Sequence, residues 1–275
     1  MKKLLMMAVF GLAGLAAFAG TCTITHISLV TTDGSHKTFA GQVDNASGVN
    51  ILQHDFVVAF LDSSNTVVES KSVSGCLRSV QNNSTDFFSA TSTTSASGIS
   101  TGLARIAFDS TFKVGTTSAQ DVTMSAVTAK RSTTALTING TVKNNSSTKL
   151  YAPNACVVVR TSAGDVLITG LDTTLSDLAQ NATDTFTVTI TVPDSSTASK
   201  VDIWVDGLDA SDNPTTPESK LGVAVTTCAA TSTPTNTAAN TSTSTATSTA
   251  TSTPTGTPTS TSTNTPASTP TSVPC

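Results

Sequence analysis

The sequence predicts an all-β protein made of two tandem antiparallel β-sandwich domains of the immunoglobulin-like kind, followed by a disordered tail. Three observations lead to this prediction. The chain repeats itself at a constant offset of roughly 100 residues, which is the commonest domain size. Its apolar residues occur in short runs separated by Gly, Asn and Ser turns, with no convincing amphipathic helix in the mature chain. Its last section carries no charged and no aromatic residue.

Residues 1–19 have the parts of a secretory signal peptide. Two lysines precede an apolar run, and Ala17-Phe18-Ala19 fits the small-x-small pattern before a cleavage site. The run is too short to favour a membrane span, and no later stretch is long or apolar enough for one. A lipid anchor on Cys22 is the alternative, although Thr21 fits a lipoprotein signal poorly. We therefore expect an extracellular or cell-surface protein without a membrane span in the mature chain.

The repeat is clearest at a Gly-x-Val-x-Asn-x-Ser motif, which occurs at 41–47 and again at 140–146. The same offset aligns other strand and turn positions, namely Phe39 with Ile138, Asn65 with Gly164, Asn82 with Asn181 and Phe87 with Phe186. A fixed period marks repeated structural units. We therefore place the first sandwich at 20–115 and the second at 116–228.

Each copy begins with an alternating strand and continues with an unbroken apolar one. The alternating strands cover 39–43 and 138–142, and the glycine inside each marks a bulge or the close packing of another backbone. The unbroken runs cover 56–61 and 156–159. Such runs favour strands that are covered on both sides or central in a sheet.

The turns that follow contain residues that accept a positive φ. Asn65 and Gly164 occupy the same aligned position, and Gly and Asn are the residues that most readily enter this region. A second turn, at 81–84 and 180–183, again carries asparagine. The last strands of the two copies are predicted at 103–108 and 200–205.

Residues 184–192 alternate strictly, with apolar side chains on one face and threonines on the other. This pattern is typical of a half-buried strand, because successive side chains point to opposite faces. An ordered threonine row can in principle bind ice or a polysaccharide. One strand offers too little surface for that, so we interpret the row as a solvent-facing one.

Together these motifs resemble the FxLYD domain, a β-sandwich module of secreted bacterial and archaeal proteins. The resemblance rests on the Gly-x-Val-x-Asn-x-Ser motif of both copies and on Val58-Ala-Phe60-Leu61-Asp62, where the family has Phe-x-Leu-Tyr-Asp. The second copy has Val157-Val-Val159-Arg160-Thr161 there, without the Tyr and the Asp. The resemblance covers residues 23–110 and 122–227, and it implies a sandwich fold with no catalytic site.

Residues 229–275 form the predicted disordered tail. With Val273 as its single large aliphatic residue, the tail lacks the apolar surface that would offset the entropy of ordering it. Its composition is typical of a spacer or of an O-glycosylated stalk, and the two interpretations are compatible. It resembles the Thr-Pro-Thr spacers of secreted bacterial proteins, notably those of Chloroflexi.

Five cysteines are compatible with disulfides in an exported protein. Pairing within each predicted domain, Cys22 with Cys76 and Cys156 with Cys228, is the simplest connectivity. The alternative is that Cys156 is a buried free thiol. Cys275 is left unpaired, and it forms an intermolecular disulfide or a covalent attachment or simply ends the chain.

No catalytic constellation is recognisable in the sequence. His26, His36 and His54 belong to no nucleophile, metalloprotease or phosphate-binding motif, so we predict no enzyme activity, no catalytic residue and no cofactor. A net charge of −4 with 12% charged residues offers no basic face for nucleic acid. It also gives no reason to expect binding to anionic membranes.

The strongest ligand candidates lie in the 206–213 loop. Asp206, Asp209 and Asp212 are weak calcium candidates, because clustered carboxylates coordinate Ca²⁺, but their spacing is not that of an EF-hand. A series of Asp and Asn turns is the favoured interpretation, and we predict no metal site. Trp204, the single tryptophan, would stack on a sugar if exposed and is otherwise a core residue.

The sequence thus predicts a non-enzymatic structural or adhesive module. Its partner would be an extracellular protein, a cell-wall component or a carbohydrate. The alternative is a small carbohydrate- or calcium-binding protein that uses the 206–213 loop and Trp204. An exposed Trp204 favours this alternative, and a buried one favours the structural role.

Overall fold

The computed structural model describes residues 21–31, 34–52, 54–107, 113–132, 135–192 and 198–227. These residues belong to one compact unit, Met1–Cys228. They form sixteen strands and one 3₁₀ helix, Ala96–Gly98, and include no α-helix. None of the described segments is a helix with the length and apolar character needed to cross a membrane. The predicted signal peptide, 1–19, and the predicted tail, 229–275, lie outside the described residues.

Within the described residues, the N-terminal half contains nine strands in three small sheets. Their order across the sheets is β1-β2-β7, β5-β4-β8 and β6-β3-β9, and all neighbours are antiparallel. The strands are β1 Thr21–Thr31, β2 Lys37–Ala46, β3 Ile51–Leu52, β4 Asp55–Leu61, β5 Val67–Ser74, β6 Ser79–Val80, β7 Ser84–Thr91, β8 Thr101–Ala107 and β9 Lys113–Val114.

The described part of the C-terminal half contains seven strands in one sheet, in the order β13-β12-β15-β16-β10-β11-β14. The strands are β10 Val122–Arg131, β11 Ala135–Asn144, β12 Tyr151–Arg160, β13 Val166–Asp172, β14 Thr183–Thr191, β15 Lys200–Leu208 and β16 Glu218–Thr227. Its one parallel pair, β10 with β16, joins β10-β11-β14 to β13-β12-β15. This one sheet therefore supplies both layers of the C-terminal half, β10-β11-β14 and β13-β12-β15.

The two halves share the same pairing pattern. The β1-β2-β7 order recurs as β10-β11-β14, and β5-β4-β8 recurs as β13-β12-β15. The β1–β2 and β10–β11 pairs even break register at corresponding places. A residue with positive φ stands at each break, His26 at 46° and Ala126 at 50°. These bulges bend both strands in the same way.

Each half packs two layers of strands around a core of its own. Between β1-β2-β7 and β5-β4-β8 lie the fully buried residues Val43, Phe56, Val58, Phe60 and Phe88. Between β10-β11-β14 and β13-β12-β15 lie Leu136, Ile138, Val142, Val157, Val159, Phe186, Val201 and Ile203. The predicted all-β fold of packed sheets is confirmed.

A third core lies between the halves and is called the junction core here. Its members are Ala40, Cys76, Leu77, Phe87, Cys156, Val158 and Val166, with the partly buried Trp204 packed against them. Because β2 and β7 supply one side and β12, β13 and β15 the other, the β1-β2-β7 sheet lies against the β13-β12-β15 layer. The four layers form a stack in which the two inner ones are covered on both faces.

Strand β12 shows what this two-sided cover does to burial. Every residue from Pro153 to Arg160 is buried, because Val157 and Val159 enter one core while Cys156 and Val158 enter the other. Strand β4 buries only alternate residues, although it is central in its sheet. The unbroken run at 156–159 thus has cover on both sides, and the run at 56–61 has the central position alone.

The asparagines of the Gly-x-Val-x-Asn-x-Ser motif brace neighbouring loops from inside. Asn45 is 2% exposed, and its Nδ2 donates to the carbonyls of Val49 and Val80 at 2.8 and 2.9 Å. Its Oδ1 accepts the Ser47 amide at 3.0 Å. Asn144 makes the corresponding bonds: its Nδ2 donates to the carbonyls of Thr148 and Leu178 at 2.8 and 2.9 Å, and its Oδ1 accepts the Ser146 amide at 2.9 Å. Buried polar groups with several partners hold a fold tightly, since breaking such a bond leaves a desolvated group behind.

The turn residues follow the predicted chemistry with one displacement. The aligned Asn65 and Gly164 both have positive φ, 60° and 92°. In the second turn the positive φ lies at Asn181 in the C-terminal half and at Asn83 in the N-terminal half, whereas the sequence alignment pairs Asn181 with Asn82. The following strand is therefore displaced by one residue relative to the predicted alignment.

This displacement corrects an aligned pair and explains the motif glycines. Gly41 pairs with Phe88 and Gly140 with Phe186, so the counterpart of Phe186 is Phe88 and not Phe87. A Cβ on Gly41 would lie 2.9 Å from the ring of Phe88, and one on Gly140 would lie 2.5 Å from the ring of Phe186. The close approach at these glycines comes from an aromatic ring of the next strand, where we had expected a bulge or another backbone.

The threonine row of β14 faces solvent, as predicted. Thr185, Thr187 and Thr189 are exposed, while the residues between them are buried. They pair with Thr141, Asn139 and Thr137 of β11, in that order. The outer face of the β10-β11-β14 layer is thus largely hydroxylated.

Candidate functional site

The contact between the halves is closed by a disulfide that the sequence did not predict. Cys76, in the loop after β5, is bonded to Cys156 of β12, with an S–S distance of 2.01 Å and a Cα–Cα distance of 5.5 Å. The predicted pairs Cys22–Cys76 and Cys156–Cys228 are therefore wrong. They assumed two separately closed domains, whereas the halves pack so closely that cysteines 80 residues apart meet.

Cys22 remains a free thiol in the core of the N-terminal half. Its Sγ donates to Asn45 Oδ1 at 3.5 Å. Burial raises the pKa of the Cys22 thiol to about 11, because a thiolate would be desolvated there. The thiol is therefore unreactive at neutral pH. Cys228 and Cys275 lie outside the described residues.

An aromatic pair forms the centre of the junction core. The rings of Phe87 and Trp204 are 4.4 Å apart at an angle of 40°, and the guanidinium of Arg160 lies 5.2 Å above the Phe87 ring. Arg160 Nε donates to Asp202 Oδ2 at 2.6 Å, and Arg160 Nη2 donates across the junction to Gln42 Oε1 at 3.0 Å. Trp204 is thus packed between the halves and is not a freely exposed platform.

Behind the disulfide lies a group of polar side chains called the polar cluster below, namely the buried His54, Asp86, Asn154 and Asp206 and the partly buried Arg78. Asp206 has a side chain that is 0% exposed, and its Oδ2 accepts the backbone N–H of Arg78 at 2.7 Å. The Arg78 Nε lies 3.6 Å from Asp206 Oδ1. Desolvation raises the pKa of the Asp206 carboxyl to about 7. The N–H and the charge of Arg78 and the side chain of Asn154 act in the opposite direction, and they do not offset the desolvation.

His54 and Asp86 form the second part of the polar cluster. Their Nε2 and Oδ2 atoms are 2.6 Å apart, and both side chains are almost completely buried. Asp86 Oδ1 also accepts the Leu77 amide at 2.8 Å. A Cβ on Gly75 would lie 2.1 Å from Asp86 Oδ2, so no other residue fits at this position without displacing the pair. Sequence reasoning missed this pair, because His54 and Asp86 lie 32 residues apart in no recognised motif.

A cleft of about 410 Å³ opens beside the polar cluster, with one wall from each half. His54, Asp55 and Arg78 lie on one wall, and Asn154 and Asp212 lie on the other. Its volume falls within the range of small-molecule sites, roughly 300–1,000 Å³. The other two histidines lie elsewhere. His26 Nδ1 is 3.8 Å from Asp165, and His36 contacts Ser35.

The calcium candidates of the 206–213 loop do not converge. Asp206 points into the polar cluster, whereas Asp209 accepts the amides of Ser211 and Asn213 at 2.8 and 3.0 Å. Asp212 is exposed and has a φ of 60°. Among the described residues, no three His, Cys, Asp or Glu side chains group as metal ligands would. The loop has the hydrogen bonds of the predicted turn series.

No family model and no curated protein matches the chain. Solved structures similar to it include an exo-chitosanase of Amycolatopsis orientalis, with 15% identity and a TM-score of 0.28 over 71% of this chain and 26% of that one. A red sea bream transglutaminase has 10% identity and a TM-score of 0.23, over 74% of this chain and 31% of that one. A Bacteroides uniformis β-glucuronidase has 10% identity and a TM-score of 0.24, over 68% of this chain and 26% of that one. The chain spans only about a quarter to a third of the length of these proteins. Similarity this distant assigns no activity.

Proposed function

We propose that this chain is an exported, non-enzymatic structural or adhesive module of the extracellular space or cell surface. In it, two tandem immunoglobulin-like sandwich repeats, similar to FxLYD domains, act as one stiff body, and a Thr/Ser/Pro-rich segment follows them in the sequence. The observation that carries the proposal is the contact between the halves, in which two sheets meet face to face and a disulfide crosses the junction.

Stiffness is the property that this contact supplies. Domains joined by a linker move relative to one another unless their interface is large and hydrophobic. Here an apolar core, the Phe87–Trp204 pair and the covalent Cys76–Cys156 bond oppose that motion together. A body of this kind holds its outer faces and edge strands at a fixed distance from one another. That suits a spacer, or an adhesive unit that presents a surface to a protein, cell-wall or carbohydrate partner.

The disulfide supports export. Disulfides persist in oxidising compartments and are rare in the reducing cytosol. The Cys76–Cys156 bond therefore agrees with a signal peptide at residues 1–19 that directs the chain out of the cytosol.

The buried groups support a structural role over a ligand-binding or catalytic one. His54 is hydrogen-bonded to Asp86 inside the protein, and Asp206 is bonded to the backbone of the other half. Trp204, on which the carbohydrate-binding alternative depends, packs on Phe87 in the junction core. Asp206 and Trp204 thus help to hold the halves together, while His54 and Asp86 brace the N-terminal half.

The test is to express the complete chain in a bacterial host that exports proteins and to compare the secreted, surface and cytosolic fractions. Mass spectrometry of the mature N-terminus should show cleavage after Ala19. Alkylation without reductant should leave Cys76 and Cys156 unmodified. An uncleaved chain that stays in the cytosol with both thiols alkylated would rule the proposal out.

A further inference from the structure

The polar cluster is one of the places where the two halves exchange polar contacts. The side chain of Asp206 comes from β15, and the N–H that it accepts belongs to Arg78 of the N-terminal half. Asn154 of β12 donates from Nδ2 to the carbonyl of Cys76 at 3.2 Å, and that residue also carries the disulfide. The state of this cluster therefore bears directly on how firmly the halves are held together.

Two oxygens of the cluster are buried acceptors without a donor. They are Asn154 Oδ1 and Asp206 Oδ1. Asn154 and Asp206 are direct cross-strand partners in the β12–β15 register, which places their Cβ atoms about 4.5–5.5 Å apart on one face of the sheet. A carboxylate and an amide oxygen both only accept hydrogen bonds. A proton on Asp206 would turn one of the two oxygens into a donor for the other.

The charges that face Asp206 do not supply that donor. Arg78 Nε forms an ion pair with Asp206 Oδ1 at 3.6 Å, but this is beyond hydrogen-bond distance, and the buried Nε has no hydrogen-bond partner. The other nearby ionisable group is Asp86, whose negative charge disfavours a second carboxylate. His54 is held by Asp86, so its ring does not compensate Asp206.

We propose that the contact between the halves is controlled by a proton on Asp206, which bridges to Asn154 and whose release loosens the contact. Once Asp206 is ionised, one backbone N–H and the Arg78 guanidinium at 3.6 Å face its charge but do not offset its desolvation, and such a group is stabilised by admitting water. The neighbouring cleft, which His54, Arg78 and Asn154 line, lies beside the cluster for that water. The Cys76–Cys156 bond keeps the halves tethered while the polar contact opens.

The direction of the pH dependence follows from linkage. The pKa of Asp206 is about 7 in the folded chain against an ordinary value of 3.8. Between these values the folded chain keeps a proton that the unfolded chain has released, so stability falls as pH rises through this window. One such proton changes the unfolding equilibrium constant by about tenfold per pH unit inside the window. Below pH 4 and above pH 7 this contribution is constant.

The test measures the proton and its consequence separately on the complete purified chain. The side-chain ¹³C carboxyl resonance of Asp206, followed by NMR in the wild type, should titrate near pH 7. Urea unfolding between pH 4.5 and 8 should show the wild type losing stability relative to Asp206→Asn as pH rises. Asp212→Asn is the matched control, because Asp212 is exposed in the same loop and Asn accepts its positive φ.

A wild-type Asp206 that titrates near pH 4 overturns the proposal, whether or not the Asp206→Asn chain folds. So does a wild-type pH profile that runs parallel to that of a folded Asp206→Asn chain. A shift that Asp212→Asn also removes would place the proton elsewhere and overturn the assignment to Asp206.

Discussion

Phe87→Ala tests the junction core most directly, because the neighbouring residue offers a matched control. Phe87 and Phe88 are both 0% exposed and adjacent in β7, but Phe87 enters the junction core and Phe88 enters the core of the N-terminal half. Truncating a buried Phe to Ala costs about 3–5 kcal/mol. Within that loss, the face of the Trp204 ring accounts for about 0.5–1.5 kcal/mol beyond area burial.

The two variants should lose similar stability in different ways. Phe87→Ala weakens the contact between the halves, so the single transition expected of the wild type should separate into two. Phe88→Ala weakens the N-terminal half itself and leaves the junction intact until that half unfolds. Trp204 is the single tryptophan of the chain and lies at the junction, so its fluorescence reports undocking without any added label.

The assay is urea unfolding followed in parallel by Trp204 fluorescence and by far-ultraviolet circular dichroism. In Phe87→Ala the fluorescence change should precede the loss of β-structure. In Phe88→Ala the two signals should coincide more closely. A loss below about 1 kcal/mol for Phe87→Ala, or coincident signals in that variant, would refute the reasoning, since burial of Phe87 against Trp204 requires a larger effect.

Three further predictions use other contacts. Cys156→Ser, which leaves Cys76 unpaired, should destabilise the chain by about 4 kcal/mol, because the disulfide closes a loop of 80 residues. Denaturation of the wild type and the variant, each with and without reductant, measures this loss, and the stability of the variant should not change with reductant. Asn144→Ala should cost about 1–3 kcal/mol in the same assay, because it leaves buried carbonyls unpaired. Desolvation raises the pKa of Glu69, but hydrogen bonds from Thr93 and the next residue outweigh it and lower the pKa from 4.5 to about 2. Glu69→Gln should therefore be less stable than wild type above pH 5, and calorimetry should show the difference vanishing as pH falls towards 2.

The strands were predictable because their residues meet two requirements at once. The alternation at 184–192 matches the pleat of β14, and the positive φ of Asn65 and Gly164 matches the residues that tolerate it. These features depend only on residues that are close together in the sequence. They can therefore be predicted without knowing what packs on the strand.

The junction was not predictable in the same way, because its residues are far apart in sequence and their partners are set by packing. The unbroken run at 156–159 indicated cover on both faces but did not say that the second cover is the β1-β2-β7 sheet. Once that contact was missed, pairing Cys76 with Cys22 followed as the simplest choice. A turn displaced by one residue at Asn83 likewise reversed the faces of Phe87 and Phe88, since a one-residue slip moves a strand's side chains to opposite sides.

The hydroxylated outer face of the β10-β11-β14 layer differs from the face that forms the junction. The junction joins two unlike surfaces. A contact of that type can repeat without limit, as in a filament, if the last layer of the stack carries the same surface that the N-terminal half uses at the junction. It does not, because the counterparts of Ala40 and Phe87 on the outer face are Asn139 and Thr185, which pair with Thr187 and Thr141. The outer face therefore lacks the apolar anchors with which the β1-β2-β7 sheet holds the β13-β12-β15 layer.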